Sequence, residues 1–311
     1  MTSAWPDIPY PPWKDTCATL HLWTQIVGKY RLSRTPWINH SWHATHYVTA
    51  RGLTTSPIPA GTGAVEFDFD FVDHRLIGSL SDGRSRSFAL EPMTVAEFHR
   101  RFVALTGRLG VRARFSGIPN EVADPIPFAR DTTHAAYDKD AVDRFWRALV
   151  EVDRVLKAFR TSFLGKVSPV HLFWGSFDIA VTRFSGRRAP LHPGGVPGLP
   201  DNVTREAYSH EVSSAGFWPG GGPVDYPAFY SYAYPAPEGF AAAKVAPAAA
   251  FFHDKAGEFL LPYDAVRTAA DPDRTLLDFL ESTYDAAARL GQWGRTALDC
   301  KPGEIGTPRP L

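Results

Sequence analysis

Residues 64–72 alternate strictly, with Val65, Phe67, Phe69 and Phe71 set against Glu66, Asp68 and Asp70. A period of two predicts a half-buried strand with one wet face. Asp73-His74 turns the chain into a second run at 76–80. Ser81-Asp82-Gly83 then turns it into a third at 87–90, since Asp-Gly favours hairpins. Here the period changes. Val95, Phe98, Phe102 and Leu105 fall on one helical stripe, Thr94 and Glu97 have the spacing of a capping box, and Gly110 supplies a stop. Two further stripes predict helices over 140–163 and from about 275 to 290. Apolar, aromatic and β-branched runs at 19–29, 45–50, 169–181 and 207–214 predict strands. Residues 248–252 and 258–261 predict a hairpin around Asp254-Lys255-Ala256-Gly257. The first 15 residues, rich in Pro and Trp, are expected to lie extended. The stretches 116–133 and 186–201 are expected to be loops.

Self-similarity suggests a duplication. Residues 94–110 align with 275–291 at five of 17 positions without gaps. Upstream, His21-Leu22 matches His171-Leu172, Arg31-x-Ser33 matches Arg183-x-Ser185, and the segment from His46 matches the segment from His210. The expectation is an α+β fold of two diverged repeats. Their mainly antiparallel sheets would pack about a pseudo-twofold axis with helices outside. The divisions are an arm at 1–18, repeat 1 at 19–115, a loop and bridging helix at 116–168, repeat 2 at 169–291 with Pro/Gly/aromatic insertions, and a tail at 292–311.

Charge narrows the partners. The 33 basic and 33 acidic residues of this 311-residue chain cancel, and no Lys/Arg run stands out, so no nucleic-acid partner is expected. A small molecule is the expected partner. No apolar stretch reaches the length of a membrane span, so no membrane partner is expected. The start, MTSAWPDIPYPPWKD, lacks the charged and apolar regions of a signal peptide. Two cysteines, Cys17 and Cys300, are too few for a disulfide framework and suit a reducing, cytoplasmic setting.

Candidate chemistry centres on histidine. If the two repeats face each other, His21, His46, His171 and His210 converge, and four neutral imidazoles suit a divalent transition metal. His46 and His210, with Glu211 beside His210, are candidates for acid–base catalysis, and Asp178 is an alternative carboxylate. Lys29, Arg31 and Arg51 are placed to bind an anionic group. Trp23, Trp218 and Tyr230 are candidate substrate walls, and Tyr230, Tyr232 and Tyr234 share one strand face. Gly220-Gly221-Gly222 reads as the entry to that aromatic segment. No phosphate loop, nucleophile elbow or Cys motif occurs.

The runs TLHLWTQIVGKYRL, NHSWH and YVTARGLTTSPIP resemble an uncharacterised bacterial family of about this whole length. The resemblance implies neither activity nor site residues. His43 departs from it, since a bulkier residue is expected after Trp42, and this lowers His43 as a candidate. The expected function is a small-molecule enzyme with a His-lined site between the repeats, metal-dependent or not. The alternatives are a non-catalytic binding protein using the same cleft and a pseudo-dimeric interaction scaffold.

Overall fold

The computed structural model describes residues 5–221 and 224–309, so Gly222 and the first four residues of the expected N-terminal arm lie outside the described residues. The segment from Tyr10 departs furthest from expectation. It is one 25-residue helix, α1 (Tyr10–Arg34), rather than an extended arm followed by a strand. Prolines sit in its first turn, where no helical hydrogen bond needs their missing N–H, and the chain leaves it at Thr35, before Pro36. Its pattern misleads because it has no apolar stripe: residues 19, 20 and 22–31 are all buried, on every side of the helix. Several of its polar members are satisfied within the helix, although Trp13 Nε1, Trp23 Nε1 and two nitrogens of Arg31 have no hydrogen-bond partner among the described residues. Thr19 Oγ1 donates to Asp15 O at 2.8 Å, and Thr24 Oγ1 donates to His21 O at 2.7 Å.

One side of α1 packs on a first sheet and its helix. The sheet comprises β1 (Tyr47–Thr49), β2 (Gly52–Thr54), β3 (Ile58–Ala60), β4 (Gly63–Asp70), β5 (Arg75–Leu80) and β6 (Ser85–Ala89). It is antiparallel in the order β1-β2-β4-β5-β6, with β3 also on β4. The alternating residues do as expected: Val65, Phe67 and Phe69 are buried. Phe67 meets Phe102 of α2 (Val95–Leu109) at 5.1 Å between ring centroids. Thr94 caps α2 by accepting the Glu97 N–H, and Gly110 ends it at φ 78°. Trp23 of α1 lies between Phe98 and Tyr137, stacked at 4.7 and 5.3 Å.

The other side of α1 meets α3 (Lys139–Arg160), where Trp13 packs on Phe145 at 5.1 Å. Beyond lies a second antiparallel sheet of β7 (His171–Phe173), β8 (Asp178–Arg188), β9 (His210–Trp218), β10 (Ala228–Tyr234), β11 (Phe251–His253) and β12 (Glu258–Pro262). Its order is β11-β12-β10-β9-β8-β7, so β10 is an interior strand rather than part of an insertion. One face, with Ile179, Val181, Phe217, Phe229 and Leu261, belongs to the main core beneath α3 and α6 (Pro272–Leu290). Short helices α4 (Asp201–Ala207), α5 (Tyr263–Arg267) and α7 (Arg295–Leu298) complete the described elements. The sheets join edge to edge through a single bridge: His46 N–H donates to Leu172 O at 2.9 Å, and Leu172 N–H to His46 O at 2.8 Å.

The α+β class and the antiparallel sheets are as expected, whereas the duplication finds no support. His21-Leu22 is helical where His171-Leu172 opens β7, and the strand orders differ. Thr94 is an N-cap, whereas its match Thr275 lies inside α6, which Asp271 caps. Nor are all helices outside, since α1 fills the centre. Trp23 is therefore core, and Trp23→Ala is expected to cost about 3–5 kcal/mol in denaturant unfolding. Leu191→Ser, at a side chain 78% exposed, should stay within about 0.5 kcal/mol of the parent.

Candidate functional site

The second face of the second sheet holds only a small cluster around Val224, Tyr230 and Leu260 and otherwise lines an open space. Side chains at every other position of a strand share a face, so Asp178, Ala180, Thr182 and Phe184 of β8 line up with Val212, Ser214 and Trp218 of β9 and with Tyr230 and Tyr232 of β10. With Glu258 of β12 they floor a cavity of about 600 Å³. The register explains the floor. Ala180, Gly216 and Tyr230 form one cross-strand row, and a Cβ on Gly216 would sit 2.5 Å from the Tyr230 hydroxyl. The small residues let the Tyr230 ring lie flat along the row, so that its hydroxyl donates to Asp178 Oδ2. In the next row Thr182 and Ser214 hydroxyls are 2.8 Å apart, and Tyr232 shares a hydrogen bond with Tyr208 at 2.9 Å.

The roof comes from α1 and the loops bound to it. Lys29 and Leu32 project from the last turns of the helix. Gln25 holds the 116–121 loop by two bonds, donating to Asn120 O at 2.9 Å and accepting Asn120 N–H at 2.8 Å. Gly28 lacks the Cβ that would overlap Trp174, so that ring crosses the helix and donates to Ala44 O. Gly175 likewise leaves room for the Glu121 carboxyl. Three lining residues, His40, Ser41 and Glu121, have φ of 60°, 59° and 55°, a left-handed backbone that costs energy in any residue with a side chain.

Three carboxyls thus face one another across aromatic walls. Asp178 is fully enclosed; burial pushes it up, and the hydroxyls of Ser176 and Tyr230 pull it back. Glu121 is raised to about 7 by burial and by the charge of Asp178, against the pull of Lys29. Glu258 is raised to about 7 for the same two reasons. Lys29 is lowered to about 8 by burial, with Glu121 opposing. At the rim Lys166 Nζ donates to His40 Nε2 at 2.6 Å.

Residues 5–300 match a family of unknown function, DUF5996. The chain belongs to that family. No curated protein and no solved structure matches it. What a DUF5996 chain can do must therefore be argued from its own cavity.

Of the residues expected from sequence, Lys29, Trp218 and Tyr230 line this cavity, as does Asp178. His210 stands beside it, its ring 6.2 Å from that of His40. The others lie elsewhere. Trp23 is in the core. Arg31 is buried over the Tyr47 ring at 5.5 Å, and Arg51 pairs at the surface with Asp70 and Asp73, both at 2.7 Å. Glu211 pairs with Arg187 at 2.7 Å, away from the cavity.

The four imidazoles do not converge on an ion. Among the described residues no group of three or more His, Cys, Asp or Glu could hold a metal. His21 stacks on Phe177 at 5.0 Å and donates to Gly175 O at 2.9 Å, and His46 donates to Thr24 O at 3.1 Å. His171 lies 3.3 Å from Thr45 Oγ1. The pseudo-twofold axis that grouped these rings depended on reading residues 19–29 as a strand. Glu121, Glu258, Tyr208 and Trp174 were missed. A period-two run of tyrosines pointed to the floor, but no local signal marks a glutamate in a loop as buried.

Burial holds the His21 and His46 rings down at about 4 and that of His171 at about 3. Unfolding lets them take protons at ordinary values, so their stabilisation is present above pH 6.5 and lost as pH falls. Glu121 and Glu258 act oppositely, since their raised values favour the folded state as pH falls from 7 to 4.5. His171→Gln isolates one contribution. Its loss of stability between pH 7 and pH 4.5, from urea unfolding, should be smaller than the parent's by about 2–3 kcal/mol.

Proposed function

We propose that the chain is an enzyme acting on a small organic molecule held in this cavity, with Glu121 and Glu258 as its proton-transferring groups. One observation carries the reading: two carboxyls held at about 7 open onto a single 600 Å³ space with aromatic walls. A group that is half protonated near neutral pH both gives and takes protons readily. Burial raises both carboxyls and the nearby Asp178 carboxyl adds to it, while the Ser176 and Tyr230 hydroxyls oppose the rise of Asp178 itself. The volume suits a small ligand, and Trp174, Trp218, Tyr230 and Tyr232 offer flat apolar contact. The role first assigned to histidine passes to carboxyls, because burial leaves His46 and His171 uncharged and away from the space. The two cysteines are unpaired, in keeping with a cytoplasmic location.

A non-catalytic binding protein using the same walls is the second reading, favoured by how much of the lining is aromatic. The two readings separate in a panel of small aldehydes, ketones and amines, followed by NMR for binding and turnover. Glu121→Gln and Glu258→Gln should each lower kcat by about a hundredfold while binding stays within about threefold. The pH–rate profile should bend near 7, reporting the carboxyls as a coupled set. Binding without turnover across the panel supports the second reading, and turnover unchanged in both variants refutes the first.

A further inference from the structure

We infer that Lys29 is a nucleophile that forms an imine with a carbonyl-bearing ligand in the cavity, while Glu121 moves the protons. The inference rests on the proposed small-molecule site and names its substrate class.

Lys29 is only 4% exposed, yet no carboxylate among the described residues is within ion-pair distance of it. Its Nζ donates to the Asn120 side-chain oxygen and lies 5.4 Å from the Trp174 ring centre. A neutral amide and a ring face compensate a buried ammonium poorly, so the site favours the free amine that nucleophilic attack requires. Burial lowers the amine to about 8, in agreement with the geometry. Asn120 is itself fixed. Its backbone is bonded both ways to Gln25, and its Nδ2 donates to Gly198 O at 2.7 Å, which turns Oδ1 toward the lysine. The next residue is Glu121, whose carboxyl interacts electrostatically with Lys29 and occupies the room left by Gly175. An enclosed amine, a nearby carboxylic acid and aromatic walls suit carbonyl condensation.

The step balances without a co-reactant. The Nζ lone pair attacks the carbonyl carbon as the C=O π pair moves to oxygen, which takes the Glu121 proton. The nitrogen, now positive, returns a proton to Glu121, leaving a neutral carbinolamine. Glu121 then protonates the hydroxyl, the C–O bond breaks with release of water, and the nitrogen lone pair closes the C=N bond. The protonated imine gives its proton back to Glu121. The sum is amine plus carbonyl giving imine plus water, with Glu121 regenerated as the acid.

The test treats the full chain with benzaldehyde, butyraldehyde and pyruvate near pH 7.4, each with and without sodium cyanoborohydride. Peptide mass mapping locates any reduced adduct, and tryptophan fluorescence reports ligand entry beside Trp174 and Trp218. The free-amine fraction of Lys29 should exceed that of ordinary lysines by on the order of a hundredfold at this pH, so, apart from the chain's α-amine, one lysine adduct is expected, at Lys29. Lys29→Met, close in shape, should abolish that adduct while retaining its circular dichroism and the fluorescence change. Glu121→Gln should slow labelling at least tenfold yet leave Lys29 the labelled site. Fluorescence change with labelling only at surface lysines overturns the imine and leaves the small-molecule site standing. Neither labelling nor fluorescence change with any of the three compounds overturns both.

Discussion

A helix buried on every side carries polar groups into the core, and α1 shapes the rest of the molecule through the partners that some of them find. Thr19 and Thr24 turn inward to its own carbonyls, but Thr16, Gln25, Lys29 and His21 reach outward. Gln25 ties down the loop carrying Asn120 and Glu121. His21 ties down Gly175, between Trp174 and Ser176. The cavity roof is therefore a by-product of satisfying the helix, since unpaired buried amides and imidazoles would cost about 1–3 kcal/mol each. The backbone strain at Glu121 is offset by the bonds of Gln25 to the adjoining Asn120, and that at His40 by its bonds to Glu206 and Ala207.

The floor follows a different rule. A sheet has two faces, and the second sheet gives one to the core under α3 and α6 and leaves the other uncovered. On that face Phe184 and Leu260 stand with tyrosines and a tryptophan, and the Tyr230 and Tyr232 rings tolerate apolar neighbours while their hydroxyls find partners. The small residues Ala180 and Gly216 leave space between them. The Tyr230 ring enters that space and reaches Asp178, and burial together with the nearby Asp178 carboxyl raises Glu121 and Glu258 on opposite sides of the cavity. One enclosed carboxylate thereby couples roof to floor.

The histidines show why chemistry-bearing residues do not by themselves make a site. His21, His46 and His171 are close-packed and bonded to backbone or hydroxyl groups, which is how neutral imidazoles sit in a core. Their role is to join α1, β1 and β7, with the His46–Leu172 bridge stitching the two sheets together. The carboxyls, by contrast, keep one side open to a volume large enough for a ligand.

Local pattern by itself determined β4, β5 and β6 of the first sheet, where Phe67 and Phe69 alternate with acids, and α2, where Thr94, Glu97 and Gly110 mark both ends, but not β2 or β3. It also determined α3, the hairpin of β11 and β12, and the shared face of Tyr230 and Tyr232. In β4, α2 and α3 one side is more exposed than the other, so the period is written in the residues. Tertiary structure alone decided that residues 19–29 are helical, because a helix enclosed on all sides has no wet face and shows no period. It alone decided which acids are buried, because Glu121 and Glu258 look like any loop and strand-end glutamates until folding brings Asp178 near them. Burial and proximity are properties of packing between distant segments, and no window of sequence contains them.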